Sequence, residues 1–88
     1  MPSAEFDKAA EDVKNVAQKP TNDELLELYS LFKQTTVGDC NTDKPGMFSF
    51  EAKAKWEAWN KQKGTSQADA EAAYVAKANE IIAKYGMK

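Results

Sequence analysis

The sequence predicts an all-α protein, one four-helix bundle formed by residues 1–88. Apolar residues recur at helical spacing in four segments, and capping residues, prolines and glycines separate these segments. No segment shows the alternation of apolar and polar residues that is typical of a strand. The length of 88 residues is that of one small domain.

The first helix is predicted over residues 4–18. Ser3 is placed to cap its N-terminus, and Pro20 ends it because proline disfavours helical geometry at the residue before it. Its apolar residues fall on one stripe: Phe6, Ala9, Ala10, Val13 and Ala17.

The second helix is predicted to begin at Thr21 and to run to about Thr36, with Gly38 marking its end. Thr21 and Glu24 have capping-box spacing. The apolar residues are too many for one narrow stripe, so we expect contacts with neighbouring helices on two sides. They are Leu25, Leu26, Leu28, Tyr29, Leu31 and Phe32.

A long connection, VGDCNTDKPGMFS, follows over residues 37–49 and contains the turn pair Pro45-Gly46. Connections of this length are uncommon in small domains and are often functional. The third helix is predicted over residues 50–63, with Gly64 ending it.

The fourth helix is predicted to start at Thr65-Ser66 and to run to Tyr85, before Gly86. Ser66 and Asp69 have spacing like that of a capping box. This helix is rich in alanine, which lets another helix approach closely. Its apolar stripe consists of Ala70, Ala73, Tyr74, Ala78, Ile81 and Tyr85.

Composition argues against several classes of function. With 12 basic and 14 acidic residues, the chain lacks the excess positive charge of a nucleic-acid-binding domain, so we expect no nucleic-acid partner. Cys40 is the single cysteine, so no internal disulfide can form, and we expect a cytoplasmic protein. The N-terminus lacks an apolar signal-peptide core, and no apolar stretch is long enough to span a membrane, so we expect no stable membrane insertion.

The sequence contains no histidine. This removes the commonest general base, the usual partner of a serine or cysteine nucleophile, and the commonest zinc ligand. We therefore expect a protein that is not an enzyme, with no metal and no cofactor.

Aromatic and basic residues together suggest a binding site. Tyr29, Phe32 and Lys33 share one helix face and offer a stacking surface for a planar base beside a cation for a phosphate. Further candidates lie on the third and fourth helices: Lys53, Lys55, Trp56, Trp59 and Tyr74. Their spacing by itself favours a structural role, since aromatic residues at helical spacing form a core more often than a ligand platform and lysines are usually solvated. The residues alone therefore indicate a helical binding domain, and a protein-interaction module that offers a groove to a partner helix stays open as an alternative.

Three segments resemble the acyl-CoA-binding protein family. The run YSLFKQTTVGD at residues 29–39 is similar to the family pattern Y-x-x-Y/F-K-Q-A-T-x-G-D, and NTDKPGM and KAKWEAWN follow at residues 41–47 and 53–60. The resemblance extends from Ala4 to Gly86. It implies an up-down-down-up bundle with an overhand connection between the second and third helices.

The resemblance also implies a function. The family binds medium- to long-chain fatty acyl-CoA esters without transforming them and acts as an intracellular carrier that maintains a pool of these esters. Candidate partners are the enzymes that produce and consume acyl-CoA, and a monomer is expected.

The resemblance implies a head-group site and an acyl groove. Tyr29 and Lys33 match residues that contact the nucleotide end of coenzyme A, including the 3′-phosphate, and Lys55 matches a second phosphate-binding lysine. The other matching positions are Tyr74 at the ligand rim, Lys14 and Ala10 on the head-group side, and Leu26 and Ala54 over the acyl chain.

Phe32 belongs to the same site but departs from the tyrosine found in many family members, so the ring remains and the hydroxyl is lost. We expect acyl-CoA binding to persist with somewhat lower affinity. Thr35 replaces a commoner alanine without obstructing the ligand. Other positions match residues that pack in the family core: Phe6, Val16, Leu25, Gln34, Ala78 and Ile81.

Overall fold

The computed structural model describes residues 3–46 and 49–88 and confirms the predicted all-α class within them. The helices are α1 (Ala4–Val13), α2 (Asn22–Thr36), α3 (Phe50–Asn60) and α4 (Gln67–Tyr85). Two parts of the predicted segments lie outside the described residues: Met1 and Pro2 at the N-terminus, and Met47 and Phe48 in the long connection.

Three helices begin where side-chain caps were predicted. The Ser3 hydroxyl accepts a backbone N–H of α1 at 3.2 Å. Thr21 and Glu24 form a complete capping box, in which each side chain accepts the backbone N–H of the other residue. The Ser66 hydroxyl accepts the Asp69 N–H at 3.0 Å. Each cap gives a partner to an N–H group that the first helical turn leaves unpaired.

The predicted end of α1 is wrong, because the helix stops at Val13 and not at Gln18. Val16 instead forms an isolated antiparallel bridge with Met87, and the Ala17 N–H donates to a carbonyl of the same C-terminal segment at 2.7 Å. These backbone groups pair with the chain terminus and so do not extend the helix. As a consequence Val16 is buried as expected, while Ala17 is exposed and does not join the α1 stripe.

Of the helix ends marked by Gly64 and Gly86, the first differs from the prediction and the second agrees with it. α3 stops at Asn60, and the Lys63 N–H bonds the Asn60 carbonyl in a turn that leads to Gly64. Gly64 has φ +94°, a conformation that glycine adopts without steric cost. α4 ends at Tyr85 as predicted, with Gly86 at φ +75°.

α4 packs between α1 and α2. It runs parallel to α1. The Ser3 N–H donates to the Glu71 carboxylate, and each of these residues lies near the start of its helix. It runs antiparallel to α2, because the Thr35 carbonyl near the end of α2 accepts from the Gln67 side chain at the start of α4, at 2.9 Å. α2 also packs against α3, which confirms the prediction that α2 contacts helices on two sides.

α3 runs parallel to α2. Lys55 lies over the Tyr29 ring, and one turn further along both helices Lys33 lies over Trp59. The order is therefore up-down-down-up, with the connection between α2 and α3 returning along the bundle. The molecule is flat, 36 × 29 × 14 Å. The α2 side that carries Leu25 and Phe32 is uncovered, since both side chains are 38% exposed.

The core lies where α1, α2 and α4 meet, and it consists of Phe6, Ala9, Val16, Leu28, Leu31, Ala70, Tyr74, Ala78 and Ile81. Gln34 is also buried, as predicted. The expectation that Leu25 is a core residue is wrong, since its side chain is 38% exposed on the uncovered side of α2. Ala73 was predicted on the α4 stripe and is exposed, because it lies outside the arc that α1 and α2 cover.

Candidate functional site

An aromatic group joins three helices beside the uncovered side of α2. The Phe32 ring stacks on Phe6 of α1, with centroids 5.5 Å apart and planes at 26°. Tyr74 of α4 contacts both rings, with centroids 4.9 Å from Phe6 and 6.0 Å from Phe32. Phe6 and Tyr74 are buried, whereas Phe32 keeps 38% of its surface exposed. The core thus supports an aromatic ring that is open to a ligand.

Tyr74 is 4% exposed, and this burial raises the pKa of its phenol. The phenol is therefore neutral at physiological pH and retains a proton to donate. Its position between α1 and α2 agrees with the core role that helical spacing favours.

Two lysines lie over aromatic rings at the junction of α2 and α3. Lys33 Nζ is 5.0 Å from the centroid of the Trp59 ring, and Lys55 Nζ is 5.6 Å from that of Tyr29. Both distances fall in the range of cation–π contacts, which hold an ammonium group over the face of a ring. The structure therefore brings together Tyr29, Lys33 and Lys55, three residues that the sequence placed in one site.

The indoles of α3 hold the long connection in place. Trp59 is 5% exposed, and its Nε1–H donates to the Gly38 carbonyl at 2.8 Å. Trp56 is half-buried, and its Nε1–H donates to the Thr42 carbonyl at 2.9 Å. Sequence reasoning grouped both tryptophans with the neighbouring lysines and did not find these bonds. The spacing of the two tryptophans in the sequence does not indicate which backbone carbonyls their indole N–H groups bond.

Gln34 and Asp39 tie the end of α2 to the turn before α4. Gln34 Nε2 donates to the Asp39 carboxylate at 2.8 Å and to the Thr65 carbonyl at 2.7 Å. The Gly64 N–H also donates to Asp39, at 2.9 Å. The Gly64 bond first, and the Gln34 bond second, lower the pKa of Asp39. Asp39 is therefore bonded to the scaffold, in agreement with its interpretation as a turn residue.

A cleft of about 410 Å³ lies between α2 and α3. Leu26 and Ala54, the two residues predicted to cover an acyl chain, both line it, with Ala58 beside them. The rest of the lining is polar: Asp23, Glu27, Ser30, Glu57, Lys61 and Gln62. Its volume is within the range of small-molecule sites. The structure thus brings Leu26 and Ala54 together, but Tyr29, Lys33 and Lys55 do not line this cleft.

A second cleft, of about 420 Å³, lies between α2 and the segment that follows α1. It contains the candidate head-group residue Lys14 beside the apolar side chains of Val13, Leu25 and Leu28. Sequence reasoning assigned Leu25 to the core and so missed it as a lining residue. Ala10, the other candidate from α1, is half-buried against the core cluster and lines neither cleft.

Within residues 3–46 and 49–88 there is no group of three or more Cys, Asp or Glu residues placed to hold a metal ion. None of the helices described above combines the length and the hydropathy that crossing a bilayer requires.

Comparisons with known proteins agree on one family. Residues 3–78 match the family model described as acyl CoA binding protein. A relative from Caenorhabditis elegans, named acyl-CoA-binding protein homolog 1, is 60% identical over 81 residues, which cover 92% of this chain and 94% of the relative.

Solved structures show the same fold. The crystal structure of ACBP from Moniliophthora perniciosa is 47% identical with a TM-score of 0.88, and the alignment covers 100% of this chain and 87% of that one. The crystal structure of Oryza sativa acyl-CoA-binding protein 2 is 36% identical with a TM-score of 0.87, covering 91% and 89%. The resemblance carried by residues 29–39, 41–47 and 53–60 is thereby confirmed, and the chain belongs to the acyl-CoA-binding protein family.

Proposed function

We propose that this protein binds medium- to long-chain fatty acyl-CoA esters with high affinity and carries them as an intracellular pool. The observation that supports this most directly is the arrangement of Lys33 and Lys55 over Trp59 and Tyr29, next to the exposed ring of Phe32. An anionic nucleotide needs cations and a flat apolar surface side by side. This arrangement offers both on one side of the bundle.

The head group is assigned to the side chains around the uncovered side of α2. Lys33 and Lys55 donate charge-assisted hydrogen bonds to phosphates, and each such bond contributes about 1.5–3 kcal/mol. Tyr29 and Phe32 supply rings for the adenine base, and stacking of a base contributes about 1–3 kcal/mol by analogy with single-stranded nucleic-acid sites. Three further residues complete the proposed head-group side: Ala10, Lys14 and Tyr74.

The acyl chain is assigned to the apolar surface that Leu26 and Ala54 provide in the cleft between α2 and α3. Burying about twelve methylene groups contributes on the order of 10 kcal/mol before costs, at about 0.8 kcal/mol for each group. The loss of translational and rotational entropy on association offsets several kcal/mol of this sum. The acyl chain thus supplies the largest favourable contribution to the binding free energy, and the head group supplies selectivity. We expect coenzyme A alone and free fatty acids to bind much more weakly than the ester.

The proposed role is that of a carrier and not of an enzyme. No histidine is present to act as a general base or to activate a nucleophile, so the thioester is expected to leave the protein unchanged. We place the protein in the cytoplasm as a monomer. Its expected partners are acyl-CoA esters and the enzymes that produce and consume them.

Titration calorimetry over a series of saturated acyl-CoA esters tests the proposal. We expect one ligand to bind each protein molecule, with an affinity that rises as the acyl chain lengthens. Tryptophan fluorescence should change on binding, because Lys33 lies over Trp59. Lys33→Ala and Lys55→Ala are each expected to weaken hexadecanoyl-CoA binding by about ten- to a hundredfold, since each removes a charged phosphate contact.

Lys8→Ala is the matched control, since Lys8 is an exposed lysine of α1 that pairs with Asp12. This variant should bind like the unchanged protein. Affinity that does not depend on chain length, or equal losses in all three lysine variants, would contradict the proposal. Release of free thiol during incubation would show catalysis instead.

A further inference from the structure

Glu51 lies in the first turn of α3, four residues before Lys55. Its Oε1 is 3.4 Å from Lys55 Nζ, which is the distance of an ion pair. A glutamate placed four residues before a lysine is the favourable orientation for such a pair on a helix. The ammonium group of Lys55 therefore faces the Tyr29 ring and a carboxylate at the same time.

We propose that Glu51 competes with a phosphate of coenzyme A for Lys55 and so lowers the affinity of the protein for acyl-CoA. The inference rests on the proposed function, which assigns Lys55 to a phosphate. A carboxylate in contact with the same ammonium group would also repel that phosphate, because salt screens charges only weakly at separations below the Debye length of about 8 Å.

The two phosphate-binding lysines differ in this respect. Across the part of the chain that the structure describes, ion pairs join five carboxylate–lysine combinations, and none includes Lys33. The ammonium group of Lys33 lies over the Trp59 ring, 5.0 Å from its centroid. The competition is therefore specific to Lys55.

The pair is open enough for a ligand to displace it. The Glu51 side chain is 86% exposed and that of Lys55 is 43% exposed, so the carboxylate can turn into water when a phosphate arrives. Exposed pairs of this kind are weak, which limits the size of the effect. We expect Glu51→Gln to tighten hexadecanoyl-CoA binding by about two- to fivefold at low ionic strength.

Calorimetry with four variants tests the proposal. Glu51→Gln should bind hexadecanoyl-CoA more tightly than the unchanged protein. In the Lys55→Met background the same substitution should give no gain, so the double variant should bind like Lys55→Met alone. The gain should also be absent with S-hexadecanoyl pantetheine, which lacks all phosphates. Glu5→Gln, an exposed glutamate on α1, is the matched control and should change nothing.

Two results separate this inference from the proposed function. If the unchanged protein does not bind hexadecanoyl-CoA, both fail. If it binds and Lys55→Met weakens binding, but Glu51→Gln has no effect or gains equally in the Lys55→Met background, only the competition is overturned.

A measurement on the unchanged protein covers the case in which Glu51→Gln disturbs α3. The carboxyl carbon resonance of Glu51 should shift when hexadecanoyl-CoA saturates the site, because Lys55 leaves the carboxylate. A resonance that does not move would overturn the proposal.

Discussion

Phe32 is packed on one side and exposed on the other. Its ring contacts Phe6 and Tyr74, yet 38% of its surface is open to solvent. Spacing alone favoured a core role for this residue, and the family resemblance favoured a ligand role. The contacts are compatible with both, because the buried rings beneath Phe32 fix its position while leaving a surface for a base.

We predict that Phe32→Tyr tightens hexadecanoyl-CoA binding by about two- to tenfold, the range of one added hydrogen bond. The Phe32 ring is 38% exposed, and a tyrosine ring retains the stacking on Phe6. Calorimetry measures the affinity, and urea unfolding should show little change in stability. Weaker binding by the variant at unchanged stability would count against the assignment of Phe32 to the site.

At the scale of elements, α2 and α4 are joined by charged side chains at one end. Glu24, in the first turn of α2, accepts hydrogen bonds from the Tyr85 hydroxyl and from Lys84 Nζ. The Tyr85 bond first, and then the Thr21 backbone bond of the capping box, lower the pKa of Glu24 to about 2 from its usual 4.5. Glu27 and Lys77 form a second ion pair between the same helices, at 3.0 Å.

The lowered pKa predicts how stability depends on pH. Between pH 4.5 and about 2 the unfolded chain binds a proton at Glu24 that the folded chain does not, so stability rises with pH in this window. The stabilising contribution of Glu24 is complete above pH 4.5 and is lost as the pH falls towards 2. We expect Glu24→Gln to be less stable at pH 7 and to lose stability less steeply on acidification.

Urea midpoints from helical circular dichroism between pH 2 and pH 7 test this expectation for Glu24. Asp39 and Glu71 also have lowered pKa values, so the variant should retain part of the slope. Glu5→Gln, on an exposed position of α1, is the control. Identical slopes for Glu24→Gln and the unchanged protein would show that Glu24 is not held ionised by these contacts.

At the scale of the whole molecule, α3 is the helix with the fewest buried residues among those that the structure describes. It packs against α2 alone, and Trp59 is its one buried residue among those that the structure describes. α4, by contrast, packs against both α1 and α2 and contributes four buried side chains to the bundle. Segments with few buried contacts open more readily than the rest of a protein.

We therefore predict that backbone amides of α3 exchange with solvent faster than those of α2 and α4. Hexadecanoyl-CoA should slow the exchange in α3, because the proposed site bridges Lys33 of α2 and Lys55 of α3. Hydrogen exchange followed by mass spectrometry or NMR, with and without ligand, measures both effects. Uniform exchange across the helices, or protection confined to α1, would contradict this view.

The sequence by itself determined the four helices, most of their starting residues and the family. Helix caps and helical periodicity depend on neighbours within a few residues, which is why Thr21 with Glu24 and Ser66 with Asp69 could be recognised. Contacts between segments that lie far apart in the sequence could not be predicted in this way. The end of α1 depends on pairing between Val16 and Met87, and the exposure of Leu25 depends on which side of α2 the other helices leave open.

The candidate site also has one part that the sequence predicted and one part that only the packing of the helices determined. The sequence placed Tyr29, Phe32 and Lys33 on one face of α2, because three- and four-residue spacing fixes that face. Only the tertiary structure decided that Lys55 lies over Tyr29 and that Leu26 and Ala54 line the same cleft, since α2 and α3 lie parallel across a long connection. A pattern within one helix specifies which side chains share a face, while the packing of two helices decides which faces meet.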